Sequence, residues 1–122
     1  MIITTERVGP NLIVTMNGEL DLETSPVFRE TVDSKLNLYD SISHLIVDCK
    51  GINFIDSSGL GVILGRFKRL NQTGGRLSII NASEQLKQIM KYAGMFKIIG
   101  VYESRQQALE GSGRVVECSK TI

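Results

Sequence analysis

The sequence predicts an α/β domain: a mostly parallel sheet of about five strands, opened by an N-terminal hairpin and carrying about four helices. Three observations predict it. From residue 12 onward, short apolar runs alternate with segments of helical period. Before that, two extended segments flank Gly9-Pro10-Asn11, a turn sequence. The chain also has 122 residues, 42% of them hydrophobic, enough for one domain with a real core.

Residues 2–6 and 12–17 read as the strands of the hairpin, with Gly18 ending the second. Thr24-Ser25-Pro26 is a helix start, a hydroxyl cap followed by Pro at the first helical position. Phe28, Val32, Leu36 and Tyr39 then mark one helical face. The run from His44 to Cys49 reads as a short central strand. Leu60, Ile63, Leu64, Phe67 and Leu70 give the clearest amphipathic helix, with Arg66, Lys68 and Arg69 near its C-terminus and Gly74-Gly75 as its stop. Residues 76–80 read as a strand. Leu86, Ile89, Met90 and Ala93 form a helix closed by Gly94. Residues 97–102 read as the last strand. Ser104-Arg105-Gln106-Gln107 is a capping box opening a short final helix, which Gly111-Ser112-Gly113 breaks. The domain is expected over residues 1–111, with a weakly structured tail over 112–122.

The net charge of +1 gives no global field for nucleic acid or an anionic membrane. No signal peptide or membrane-length apolar run is evident, so a cytoplasmic protein is expected. Cys49 reads as a buried thiol rather than as half of a disulfide with Cys118. No Cys/His cluster has metal-ligand spacing, and no cofactor is expected.

The densest chemistry lies at Asp56-Ser57-Ser58-Gly59, between a strand-like run and the amphipathic helix. Asp and Ser are favoured helix caps, each worth about 1 kcal/mol. One cap would suffice, however, and Asp21 in Gly18-Glu19-Leu20-Asp21 falls on the same predicted sheet edge. In parallel sheets, sites gather at the C-terminal ends of strands. If the two strands are neighbours, Asp21 lies near Ser57.

Enzyme readings fit poorly. Gly59-Leu60-Gly61 through Gly65 has one residue too many for a dinucleotide loop, and the strand ending at Ile80-Asn81 lacks a ribose-binding acid. Gly61 and Gly65 read instead as letting the helix pack close to the sheet. A nucleophile elbow is absent. The sole histidine, His44, starts a strand of about six residues at roughly 3.3 Å each, which places it at the far end from Ser57. A phospho-aspartate receiver would need a tight acidic pair, whereas Leu20 separates Glu19 from Asp21. No kinase motif accounts for self-phosphorylation, so any phosphate on Ser57 or Ser58 must come from another protein.

The run Asp56-Ser57-Ser58-Gly59-Leu60-Gly61-Val62-Ile63-Leu64-Gly65-Arg66 strongly resembles the anti-sigma factor antagonists of the STAS-domain family. Gly18-Glu19-Leu20-Asp21 and Gly94-Met95-Phe96-Lys97-Ile98-Ile99 extend the likeness over about residues 2–110. The resemblance implies a non-enzymatic regulator that switches partners. Unphosphorylated, it would bind an anti-sigma factor that is also a serine kinase, freeing the sigma factor. The kinase, with ATP and magnesium on its own side, would then phosphorylate Ser57, and a PP2C-type phosphatase would reset it. The same likeness assigns Asp21, Asp56, Ser58 and Gly59 to the partner surface, with no direct nucleic-acid or membrane contact. The alternative is a constitutive STAS interaction module, in a signalling scaffold or a transporter-associated complex, in which Ser57 only caps the helix.

Overall fold

The computed structural model describes residues 2–110. The expected tail over 112–122, the Gly111-Ser112-Gly113 break and Cys118 lie outside the described residues. Five strands form one sheet: β1 (Ile2–Val8), β2 (Asn11–Leu20), β3 (His44–Ile55), β4 (Arg76–Ile80) and β5 (Gly100–Tyr102). Their spatial order equals their order in the chain. β1 pairs antiparallel with β2, and every later pairing is parallel. The helices are α1 (Ser25–Leu38), α2 (Ser57–Asn71), α3 (Glu84–Tyr92) and α4 (Arg105–Leu109). Each parallel crossover steps to the next strand in the same direction. Right-handed connections therefore stack α1, α2 and α3 on one face.

That face holds the main core. Leu12, Val14 and Met16 of β2 and Leu45, Val47 and Cys49 of β3 pack with Phe28 and Val32 of α1, Ile63 of α2 and Met90 of α3. Burying a side chain of this size stabilises by about 1.5–3 kcal/mol. The alternate residues Ile13, Ile46 and Ile80 point to the other face, where Tyr102 and Ala108 cover them. Burial pushes the Cys49 thiol pKa up, and its sulfur is a free, buried thiol.

Glycines account for the differences from the predicted boundaries. β2 does not stop at Gly18: that residue takes φ 119°, a register shift follows it, and pairing continues to Leu20. β3 has 12 residues rather than six. At Gly51 a side chain would collide with the Asn17 carboxamide and come 2.7 Å from the Met16 carbonyl oxygen. The glycine marks close strand approach, not a strand end. The last strand is shorter than expected. Gly94 at φ 76° closes α3, and residues Met95–Lys97 form a 3-10 turn that buries Met95 and Phe96. Only Gly100–Tyr102 then pairs.

Two caps also differ in detail. Thr24 precedes α1, but its hydroxyl makes no capping bond. Helix α1 begins at Ser25, so Pro26 is its second residue. Ser104 caps α4 through Gln107 N–H, while the Gln107 side chain accepts from Glu103 N–H rather than from Ser104.

His44 is buried at the N-terminal end of β3 and bridges two neighbouring strands. Asn11 Nδ2 donates to the Val8 carbonyl, so its Oδ1 faces the imidazole at 2.8 Å. Nδ1–H therefore donates to Asn11, and Nε2 accepts from the Ser78 hydroxyl at 2.7 Å. Burial, aided by the charge of Arg76, pushes the His44 pKa down to about 4. The unfolded chain binds this proton more readily, near its ordinary pKa of about 6.5. His44 thus contributes stability in full above that value, and the contribution is lost as pH falls from 6.5 toward about 4. Urea melts across this window should show falling stability, and His44→Gln should flatten the slope.

Candidate functional site

Parallel pairing of β2 with β3 brings Leu20 opposite Ile55, so both following loops leave the same sheet edge together. Asp56 joins them. Its Oδ1 accepts from Gly59 N–H at 3.0 Å, capping α2. Its Oδ2 accepts from Leu22 N–H at 3.2 Å, tying down the β2–α1 loop. The Asp56 N–H also donates to the Leu20 carbonyl.

The cap is thus Asp56. Ser57 and Ser58 are the first two residues of α2, after the cap. Ser57 is exposed and Ser58 half-buried. Neither hydroxyl makes a hydrogen bond among the described residues. The amides of Ser57 and Ser58 have no carbonyl four residues back within the helix, so donors and the positive end of the helix dipole converge there.

Gly59 makes the close approach expected of Gly61 and Gly65. A Cβ on Gly59 would collide with the Leu20 carbonyl oxygen and lie 2.7 Å from Ile55 Cγ1. At Gly61 and Gly65 a Cβ would meet nothing within 4 Å. Those two glycines face an open groove instead of the sheet.

Asp21 lies in the adjoining loop, as the strand order predicts. Its Oδ1 accepts from the N–H groups of Glu23 and Thr24 and from the Thr24 hydroxyl. The Thr24 backbone bond, with these others, holds the Asp21 carboxyl below the ordinary Asp range. The Glu19 side chain also interacts with the Asp21 carboxyl. Two neighbours escaped the sequence reading. Thr24 orients Asp21, its hydroxyl also reaching the Glu19 carbonyl at 2.8 Å. Leu22, 74% exposed, stands as an apolar tip beside Asp56. The one available signal was a leucine between acidic residues in Asp21-Leu22-Glu23.

His44 sits at the other end of β3, roughly 35 Å away by a rise of about 3.3 Å per residue. It plays no part in this edge. The described residues contain no group of three or more His, Cys, Asp or Glu placed to hold a metal ion. No helix among them is long and apolar enough to cross a membrane.

The profile of the STAS domain matches residues 2–108. An anti-sigma F factor antagonist of Paenibacillus polymyxa is 38% identical over 98 residues, covering 80% of this chain and 83% of that protein. The chain belongs to the STAS-domain family of anti-sigma factor antagonists. The anti-sigma-B factor antagonist of Bacillus subtilis is 34% identical over 88 residues, covering 72% of this STAS chain and 78% of its own. Among solved structures, unphosphorylated SpoIIAA aligns at a TM-score of 0.72 with 20% identity, over 90% of this chain and 96% of that one. The phosphorylated form of the Bacillus SpoIIAA aligns at 0.71 with 21% identity, over 89% and 97%. These two establish the shared STAS fold.

Asp56 and Gly59 are therefore structural keystones of the STAS edge. Asp56→Ala should lower stability by about 1–2 kcal/mol through the lost cap. Gly59→Ala should cost at least about 1–3 kcal/mol by overpacking. Gly61→Ala should raise stability by about 0.5–1 kcal/mol, because that helical glycine has open space beside it. Thermal melts of the three variants check this order.

Proposed function

We propose that this chain is the phosphorylatable member of a partner switch that controls a sigma factor. In its unphosphorylated form it binds an anti-sigma factor that is also a serine kinase, and so releases the sigma factor. The kinase, holding ATP and magnesium, transfers phosphate to the Ser57 hydroxyl, and the complex separates. A PP2C-type phosphatase restores the serine. The carrying observation is that Ser57 is exposed at the first turn of α2 while Asp56 performs the capping. The hydroxyl is thus free of structural duty. Membership among anti-sigma factor antagonists supports the same reading.

The supporting residues divide by role. Asp56 and Gly59 hold the edge in shape from within, whereas Asp21 stands in the adjoining loop and the Ser58 hydroxyl caps nothing, so both are available to a partner.

Phosphate adds about −1.5 to −2 charges at neutral pH. At the start of a helix the dipole offsets this by about 0.3–1 kcal/mol, so the chain itself need not rearrange. A docked partner is affected differently. An acidic group about 6 Å away is repelled by roughly 0.7 kcal/mol per unit charge in water, and by nearer 3 at an effective dielectric of about 20. Two units lower affinity by about one to several decades.

Incubation with the anti-sigma kinase of the same genome and ATP should place one phosphate on Ser57, located by mass spectrometry, and Ser57→Ala should abolish it. Phosphate on Ser58, or none from a kinase active on another substrate, overturns the assignment. Ser57→Asp should weaken kinase binding by about tenfold or more while Ser57→Ala preserves it. Equal affinity for the two variants counts against rejection by charge.

A further inference from the structure

The groove beside the Ser57 turn holds more positive charge than the fold uses. It runs between the first halves of α1 and α2 and encloses about 440 Å³. Leu22, Ser25 and Arg29 line one side; Gly61, Gly65 and Arg66 line the other. Asp33 Oδ1 lies 3.1 Å from Arg66 Nε and 3.3 Å from Arg69 Nη1, so one carboxylate serves two guanidinium groups. Arg69 also donates to Asn37 Oδ1 at 2.6 Å. Arg29 enters no hydrogen bond or ion pair among the described residues.

Three polar atoms in the lining lack a hydrogen bond. Arg66 Nε and Nη1 are buried without one, Nε having only the ion pair with Asp33, on a side chain only 12% exposed. Ser25 Oγ is also buried without one, on a residue 7% exposed. Burial pushes the Arg66 pKa down, with Arg29 and Arg69 adding repulsion that Asp33 opposes. A largely desolvated guanidinium short of acceptors favours a carboxylate, which accepts several of its N–H bonds at once.

The shape narrows the source of that carboxylate. The floor at Gly61 and Gly65 is empty, since a Cβ there would meet nothing within 4 Å. The rim is apolar at the exposed Leu22 and Pro26, with the buried Val62 beneath. A free inorganic anion would leave that rim wet, whereas a side chain with a hydrocarbon stem and an acidic tip suits both parts.

We propose that this groove receives an acidic side chain of the protein partner, its carboxylate held by Arg29 and Arg66 and its stem covered by Leu22. The proposal rests on the partner-switch reading of the Ser57 edge and adds the chemistry by which that partner is recognised. Such an anchor sets the partner's register on α2, independently of the charge state of Ser57.

Calorimetric titration of the full chain with the anti-sigma kinase of the same genome tests this. Wild type must bind and accept phosphate on Ser57; failure there sinks the partner-switch reading itself. Given wild-type binding, Arg29→Gln and Arg66→Lys should each weaken it by about tenfold to a hundredfold. The salt dependence of binding should also fall. The Cβ position of Gly65 is open and leucine favours the helix, so Gly65→Leu should keep or raise the melting temperature and still weaken binding by about tenfold or more. Arg29 makes no internal bond, so its variant folds whatever becomes of Arg66. Wild-type affinity in Arg29→Gln and Gly65→Leu overturns the groove proposal and leaves the switch standing. Two other results also overturn it: wild-type dimerisation that Arg29→Gln abolishes, and stabilisation by inorganic phosphate alone that Arg29→Gln abolishes.

Discussion

The Asp56 carboxylate is the constraint on which the edge depends. One oxygen starts α2 and the other holds the preceding loop by a backbone N–H. Two segments far apart in the chain are thereby fixed to each other by a single side chain. The close contact of Gly59 with Leu20 lets this happen, because any larger residue would push the helix off the strand. Ser57 is consequently presented by a rigid corner rather than by a loose loop. The backbone beneath it is already held on both sides.

Much of this was legible in the sequence because it is local. The period of Leu60, Ile63, Leu64 and Phe67 identifies α2, and Asp56-Ser57-Ser58-Gly59 marks its start. The parallel neighbours β2 and β3 follow from the alternation of elements, and their pairing sends the loops that carry Asp21 and Ser57 off the same edge. Long-range steric facts were not legible. Gly18 reads as a strand end, and the central strand as one that stops at Cys49, until Asn17 and Met16 are known to press on Gly51. Likewise, Gly61 and Gly65 look like packing glycines, and only the fold turns them outward. Which of Asp56, Ser57 and Ser58 serves as the cap depends on backbone geometry, and the charge excess at Arg29 and Arg66 depends on α1 lying against α2.

The two ends of β3 carry different physics. At one end, His44 lies buried in a network of neutral hydrogen bonds with Asn11 and Ser78. At the other, exposed hydroxyls, free amides and a bridging carboxylate face solvent. Protonation at the first end bears on global stability, while the second end presents polar groups at the surface. Separation along one strand keeps acid sensitivity away from the Asp56 corner.

The strand order has a consequence for what this edge can bind. Open α/β sheets form their ligand crevices where successive crossovers diverge to opposite faces. Here every crossover steps the same way, so the C-terminal edge has no such fork. It forms a continuous platform, with the Leu22 tip and the first turn of α2 side by side. Along such a platform the polar groups of two loops stand side by side at the surface, so a change at one of them alters the outline of the edge while the core beneath stays packed.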